Sequence, residues 1–308
     1  MKKYYVFTAC LLITFIFLII YGSKGDSNPL DKRKTKVNQE ESYNWGFDAI
    51  KYYKEKPSES KIKVAVLDSG IFPHDDLSGK ITKALNTFNN QPLEDEYGHG
   101  TAVAGIITAN DNNNGITGVS QNIELYNVKV LDKNGKGKIE NLIKGIEWCI
   151  AERVDIINIS FGVQIDDRQL KKTIDDAINK GIIIVAAAGN TYGFGVDFPA
   201  KYENVLSINS VNTKLKRTSS AAKGKIDFSA PGDKIFSTSN DGKYEYFSGT
   251  SFSTAFATGI IARKLVKFGP IKSHSSYIEF MQIIRQSVIQ KEPIKDYGYG
   301  ILIVEEEE

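Results

Sequence analysis

Three residues from well-separated parts of the chain have side chains that together can carry out nucleophilic catalysis. Asp68 ends an apolar run in VAVLDSG, His99 lies between glycines in YGHGTAVAG, and Ser251 lies in SGTSFSTAFATG. A serine hydroxyl is a weak nucleophile at neutral pH, so an imidazole within hydrogen-bond reach must accept its proton. A carboxylate on the far nitrogen of that imidazole fixes the tautomer and stabilises the charge that develops. The sequence therefore predicts a nucleophile, a base and an orienting acid.

Each of these residues also has an ordinary structural interpretation. An Asp after a strand is usually a turn or cap residue, a lone His is usually structural, and a Gly-Thr-Ser before a helix is often an N-cap. The presence of all three in one chain favours catalysis. The histidines His74, in FPHDD, and His274, in KSHSS, do not lie at glycine-framed helix starts, and we expect both at the surface. Gly98, Gly100 and Gly249 leave room for close backbone approach.

The elements that must position these residues alternate along the chain. Near-continuous apolar runs predict strands that are buried on both faces, at residues 61–67, 123–131, 155–159, 181–188 and 205–211. Apolar residues at helical spacing predict helices at 139–150 and 170–178, and Gly181 is placed to end the second. This alternation predicts an α/β fold, a mostly parallel sheet with helices on both faces. Sites in such sheets lie at the carboxyl ends of the strands.

The order Asp, His, Ser and the separations between these residues resemble the subtilase family. His99 lies 31 residues after Asp68, and Ser251 lies 152 residues after His99. The segment GIEWCIAERVDIINISFG and a closing DYGYGILIV also match, so the resemblance runs from Trp45 to about Ile303. It implies a subtilisin-like three-layer fold and a serine endopeptidase, a hydrolase that cleaves extended polypeptides.

The resemblance also implies residues that contact the substrate. Asn190, in AAAGN, resembles the family asparagine whose amide donates to the oxyanion, and the backbone N–H of Ser251 is the second donor. Two further segments resemble those that pair with a peptide on either side, with a glycine turn and a strand end as the ordinary alternatives. They are Gly135, Lys136 and Gly137, and Ser160, Phe161 and Gly162.

Asp197 is a departure from the family pattern that bears on specificity. In VDFPAKY it takes the place before the aromatic-Pro pair where many broad family members have glycine, at the floor of the pocket for the residue preceding the scissile bond. A carboxylate there favours cleavage after Arg or Lys. The alternative is an Asp turned outward to solvent, because a one-residue shift in the preceding loop would move it.

The N-terminal 21 residues differ in composition from the rest of the chain. Two lysines precede an apolar run at residues 6–21, which we expect to meet a membrane. Its length favours an uncleaved anchor, and a signal segment cut near Ser23 and Gly25 is the alternative. The lysines favour an inside N terminus, which puts the main body at the extracellular face, anchored or secreted.

We expect four segments: the N-terminal signal or anchor at 1–21, a polar linker at 22–42, a subtilisin-like peptidase domain at 43–304 and an acidic tail at 305–308. Secreted subtilases usually carry a folded prodomain, and the linker is too short and polar to be one. A tethered, prodomain-poor subtilase with an acidic pocket resembles the peptidases that trim leader peptides from lantibiotic-type bacteriocins after export.

Composition and charge exclude several other classes. The chain has 39 Lys and Arg against 37 Asp and Glu, a net charge of +2, which argues against a nucleic-acid binder. Cys10 and Cys149 can form neither a disulfide framework nor a zinc site, and Cys149 falls on the apolar face of a predicted helix. We expect a monomer whose partners are a peptide or protein substrate and, through residues 1–21, the membrane.

No cofactor is required by the predicted chemistry, and one loop raises the question of Ca²⁺. Residues 112–119, NNNGITGV, resemble the calcium-binding loop of the family but are one residue shorter. Oxygen-rich residues suit this hard cation, and an exposed Asn/Gly turn explains them equally well. The rival to an enzyme is a catalytically silent subtilase-like module that binds peptides at the cell surface. The complete set of Asp68, His99, Ser251 and Asn190 argues against that rival.

Overall fold

A nine-stranded sheet with parallel central strands organises the protein. The computed structural model describes residues 44–112 and 115–304. The strands in this part of the chain are β1 (Ile62–Asp68), β2 (Ile81–Asn86), β3 (Ile123–Lys129), β4 (Ile156–Ile159), β5 (Ile183–Ala187), β6 (Leu206–Val211), β7 (Phe228–Pro231), β8 (Ile235–Thr238), β9 (Tyr244–Phe247), β10 (Val288–Ile289) and β11 (Ile301–Leu302). Their order in the sheet is β10-β11-β7-β6-β5-β4-β1-β3-β2, with β8 and β9 forming a separate antiparallel pair.

Helices cover both faces of this sheet. They are α1 (Trp45–Ala49), α2 (His99–Thr108), α3 (Ile139–Glu152), α4 (Arg168–Asn179), α5 (Thr250–Phe268), α6 (His274–Gln286) and α7 (Ile294–Tyr297). Because successive side chains of a strand point to opposite faces, β1 contributes to two cores. Val64 and Val66 pack with α2 and α5 on one face, whereas Ala65 and Leu67 pack with α3 and α4 on the other.

The predicted α/β fold is confirmed, and the five predicted strands are β1, β3, β4, β5 and β6, five neighbours in the sheet. The strand predicted at 123–131 ends earlier, at Lys129. The N–H groups of Val130 and Leu131 both donate to the carbonyl of Asp68, which turns the chain across the end of β1. Gly181 lies just beyond α4 with a φ of +86°, the left-handed conformation expected after a helix end.

The structure tests three further predictions about single residues. Cys149 is a free thiol with no exposed area, as predicted for a core residue, and burial raises the pKa of this thiol. The prediction that His74 lies at the surface is wrong, because its side chain is buried. Its Nδ1 accepts from the N–H of Asp76 at 3.1 Å, and its ring lies edge-on to Tyr244 of β9. His274 is exposed at the start of α6.

The predicted membrane segment at 1–21, the linker at 22–42 and the acidic tail at 305–308 lie outside the described residues. These assignments therefore stay predictions. Among residues 44–112 and 115–304, no helix combines the length and the apolar character needed to cross a bilayer.

Candidate active site

Most of the predicted site residues meet in one cleft at the carboxyl edge of the sheet. The ends of β4 and β5, the segment that follows β3 and the first turns of α2 and α5 border it, as expected for an open parallel sheet. Its volume is about 230 Å³. The lining residues are Tyr97, His99, Leu131, Gly135, Ser160, Phe161, Gly162, Ala187, Gly189, Asn190, Asp197, Thr250 and Ser251.

Asp68 and His99 form a hydrogen-bonded pair at the edge of this cleft. Nδ1 of His99 lies 2.8 Å from Oδ1 and 3.0 Å from Oδ2 of the buried Asp68 carboxylate. Burial of the imidazole by itself lowers the pKa of His99. The charge of Asp68 and its hydrogen bond outweigh that effect, so that the pKa of His99 is raised above its usual value. The pair is therefore arranged to stabilise a protonated imidazole.

The start of α2 holds His99 against β1. The Asp95 carboxylate accepts hydrogen bonds from the N–H of Thr101 at 2.9 Å and from its hydroxyl at 2.6 Å, which caps the first turn. A Cβ on Gly100 would lie 2.2 Å from the carbonyl oxygen of Gly70. Only glycine lets the helix approach the strand this closely, and this approach brings His99 to Asp68.

Ser251 lies in the first turn of α5 and faces the same cleft. Its hydroxyl donates to the carbonyl of Ser160 at 2.5 Å, and the hydroxyl of Ser160 donates to the carbonyl of Ser251 at 3.0 Å. Within the described chain, no hydrogen bond joins Ser251 to His99. The ring of the next residue, Phe252, lies 5.4 Å from the His99 ring between centroids. The structure thus brings the three predicted residues to one cleft, with the hydroxyl turned toward Ser160.

Asn190 follows β5 and its amide is held in one orientation. The oxygen Oδ1 accepts from the N–H of Thr250 at 3.1 Å and from its hydroxyl at 3.3 Å. Because a backbone N–H can only donate, the amide oxygen must face Thr250 and the NH₂ group must point the other way. Nδ2 has no acceptor among the described residues, and a Cβ on Gly249 would lie 3.1 Å from it. This amide is an available donor in the cleft.

Asp197 contributes an unpaired carboxylate to the cleft, instead of turning outward to solvent. A Cβ on Gly162 would lie 2.5 Å from the Asp197 Cβ, and a Cβ on Gly189 would lie 2.3 Å from Oδ2. Glycines on both sides therefore leave this carboxylate accessible from the cleft. Within residues 44–112 and 115–304, it has no hydrogen-bond or ion-pair partner, and burial raises its pKa.

The two predicted peptide-pairing segments differ in their position. Gly135 and the segment of Ser160, Phe161 and Gly162 line the cleft. Lys136 and Gly137 instead line a neighbouring polar pocket. Sequence reasoning missed Tyr97, whose half-exposed ring lines the cleft and would touch a Cβ on Gly135 at 2.7 Å. Its place two residues before His99 was the only available signal.

The described part of the predicted calcium loop, Asn112 and residues 115–119, contacts the carboxylate of Asp76 through Asn112 and Ile116. Oδ2 of Asp76 accepts from the N–H of Ile116 at 3.0 Å and from the hydroxyl of Tyr244 at 2.8 Å. These contacts orient the Asp76 carboxylate toward the loop. The described residues include no group of three or more His, Cys, Asp or Glu that can hold a metal ion. Residues 113–114 of this loop lie outside the description, and the choice between a Ca²⁺ loop and an Asn/Gly turn stays a prediction.

The fold and the cleft together define a class of protein, in which a parallel α/β sheet brings a helix-start serine and a buried Asp–His pair to one edge. Residues 59–300 match the family model described as "Subtilase family". This match covers well over half of the chain. The chain belongs to the subtilase family.

Named relatives are similar over most of this chain. "Minor extracellular protease Epr" of Bacillus subtilis is 37% identical over 246 residues, 78% of this chain and 37% of the relative. "Subtilisin amylosacchariticus" of Bacillus subtilis subsp. amylosacchariticus is 41% identical over 214 residues, 68% of this chain and 56% of the relative. "Thermostable alkaline protease" of Halalkalibacterium halodurans is 38% identical over 244 residues, 78% and 65% respectively. The chain thus spans less than two thirds of each of these relatives.

Proposed function

We propose that this protein is a serine endopeptidase that hydrolyses extended polypeptides, with Ser251 as the nucleophile, His99 as the general base and Asp68 as the orienting acid. The observation that carries the proposal is the 2.8 Å bond between a buried carboxylate and an imidazole that faces the cleft of Ser251. This bond directs Nε2 of the imidazole, the nitrogen that must accept the serine proton, away from Asp68.

We further propose that substrate binding releases the nucleophile. The carbonyl of Ser160 accepts a hydrogen bond from the hydroxyl of Ser251 at 2.5 Å. A peptide N–H that donates to this carbonyl competes with the hydroxyl for its lone pairs and weakens the bond that holds the hydroxyl there. The hydroxyl then rotates toward Nε2 of His99. In many hydrolases the catalytic hydrogen bonds are long or poorly aligned without substrate and tighten only when substrate binds.

Two donors are available for the negative charge that forms on the attacked carbonyl. One is Nδ2 of Asn190, whose orientation is maintained by Thr250. The other is the backbone N–H of Ser251 at the positive end of α5. The protonated His99, stabilised by Asp68, then donates its proton to the leaving amine. Water hydrolyses the acyl-enzyme with His99 again acting as the base.

The unpaired carboxylate of Asp197 supports a preference for Arg or Lys before the scissile bond. A guanidinium or ammonium group that enters between Gly162 and Gly189 can pair with the Asp197 carboxylate, which has no other partner in the described chain. A leader peptide that ends in a basic residue is a substrate of this kind. We propose exported leader peptides as the narrower substrate class and the extracellular face as the place of action, as for the relative named an extracellular protease.

A fluorophosphonate probe tests the proposed function, because it labels only an activated serine. We expect labelling of the full chain, and loss of the label in Ser251→Ala. Ser253→Ala is the matched control, since this serine lies on the same helix with a buried, unpartnered hydroxyl. Peptide binding without any Ser251-dependent label or hydrolysis would instead identify a silent peptide-binding module and refute the proposal.

A further inference from the structure

Lys129, at the end of β3, is a fully buried charged side chain that the proposed chemistry does not use. Burying an ammonium group is costly unless hydrogen bonds satisfy it. In the described part of the chain it forms no ion pair, and its acceptors are two backbone carbonyls. A lysine in such surroundings calls for an explanation beyond general core packing.

The two acceptors belong to the two segments that carry the proposed base and its orienting acid. Nζ of Lys129 donates to the carbonyl of Ser69 at 2.8 Å and to the carbonyl of Glu94 at 2.9 Å. Ser69 directly follows Asp68, and Glu94 directly precedes Asp95. One side chain therefore connects the end of β1 with the loop that leads into α2.

Both ends of this connection continue to the reacting groups through short hydrogen bonds. On the β1 side, the N–H of Ser69 donates to Oδ1 of Asp68 at 2.8 Å, and the Ser69 hydroxyl accepts from Gly100 at 3.0 Å. On the α2 side, the Asp95 carboxylate caps the helix turn that begins at His99. Lys129 is itself fixed, since the β1–β3 register pairs it with Asp68.

We propose that Lys129 is a positioning residue, whose ammonium group ties the Asp68 segment to the His99 segment and so maintains the hydrogen bond between them. This inference rests on the proposed function. Without Nζ, the buried carbonyl of Ser69 and the part-buried carbonyl of Glu94 lose the one donor that joins them, and the strand end and the loop are no longer tied to each other. A displacement of about 1 Å in a catalytic pair lowers turnover by about 10²-fold.

Lys129→Met in the full chain tests the inference, because it keeps the length and the apolar part of the side chain. With a fluorogenic peptide carrying Arg before the cleaved bond, we expect kcat to fall by about 10²-fold and KM to stay within about 3-fold. Cys149→Ala is the control for lost stability, since this buried residue lies on α3, away from the cleft. It should keep the wild-type kcat at temperatures where both variants are folded. A folded Lys129→Met with wild-type kcat, or with a change in KM alone, would overturn the inference.

A second measurement does not depend on activity and covers the case in which Lys129→Met does not fold. The proton between His99 Nδ1 and Asp68 should give a low-field NMR resonance in the full chain carrying Ser251→Ala. In Lys129→Gln, which shortens the donor, we expect this resonance to broaden or to move upfield, and an unchanged resonance would contradict the inference. Wild-type protein without Ser251-dependent hydrolysis would refute the proposed function instead, so the two failures are distinguishable.

Discussion

Replacing Asp197 by Asn should remove most of the discrimination between basic and neutral residues before the scissile bond. The substitution keeps the shape of the side chain and removes its charge. The carboxylate lines the cleft, has glycines at 162 and 189 beside it, and has no partner among the described residues. An incoming guanidinium can therefore approach to hydrogen-bond distance without displacing an existing cation.

The magnitude follows from this geometry. Two unit charges about 4 Å apart attract by about 4 kcal/mol at an effective dielectric constant of about 20. The cleft is open to water on one side, and the guanidinium loses part of its hydration on entry, which reduces the net effect to about 2.8 kcal/mol. That energy corresponds to a factor of about 10² in kcat/KM for Arg over a neutral residue of similar length.

The assay compares peptides that differ only in Arg, Lys or norleucine before the cleaved bond, with wild type, Asp197→Asn and Glu203→Gln. Glu203 is an exposed carboxylate that does not line the cleft, so its variant should keep the wild-type ratio. Because burial raises the pKa of Asp197, the wild-type preference for Arg should also decline as the pH falls through that raised pKa. Equal Arg-to-norleucine ratios in wild type and Asp197→Asn would refute the reasoning.

Three further predictions concern the base, its support and the buried thiol. The rise of kcat/KM with pH should have its midpoint above 6.5, because Asp68 raises the pKa of His99. In Asp68→Asn this midpoint should move to lower pH, and kcat should fall by at least about 10²-fold. Gly100→Ala should lower the free energy of unfolding, measured by urea titration, by about 3 kcal/mol, because its Cβ would lie 2.2 Å from a backbone oxygen. Gly79→Ala is the comparison: a Cβ there meets no atom within 4 Å, and the substitution should lower the free energy of unfolding by about 1 kcal/mol. Cys149 should react with iodoacetamide only on unfolding, because burial excludes the reagent and raises the thiol pKa.

Each of these predictions has a specific contrary result. An unchanged pH midpoint in Asp68→Asn would show that the carboxylate does not govern the base. Equal unfolding free energies for the two glycine variants would show that the close contact of α2 with β1 is unimportant. Alkylation of Cys149 itself, located by peptide mapping, in the folded protein at the rate seen in urea would mean that Cys149 is accessible.

The local sequence was sufficient to predict the elements that carry the chemistry. Asp68 ends an apolar run and His99 follows a glycine, and such strand ends and helix starts are encoded within a few residues. Elements without such a local pattern were missed. The edge strand β2 is mostly exposed and therefore has no continuous apolar run. His74 was assigned to the surface because it does not lie at a glycine-framed helix start, whereas contacts with distant residues, including Tyr244 and the carbonyl of Lys243, bury it.

Residue types and their order along the chain thus determine the family and the set of candidate groups. Their mutual arrangement depends on contacts between distant segments. The hydroxyl of Ser251 turns to a carbonyl 91 residues away, and Lys129 joins segments 60 and 35 residues away. Burial strengthens these bonds. Burial is a property of the whole folded chain and cannot be predicted from a local sequence pattern. For that reason, the unpaired carboxylate of Asp197 and the tie made by Lys129 became apparent only in the tertiary structure.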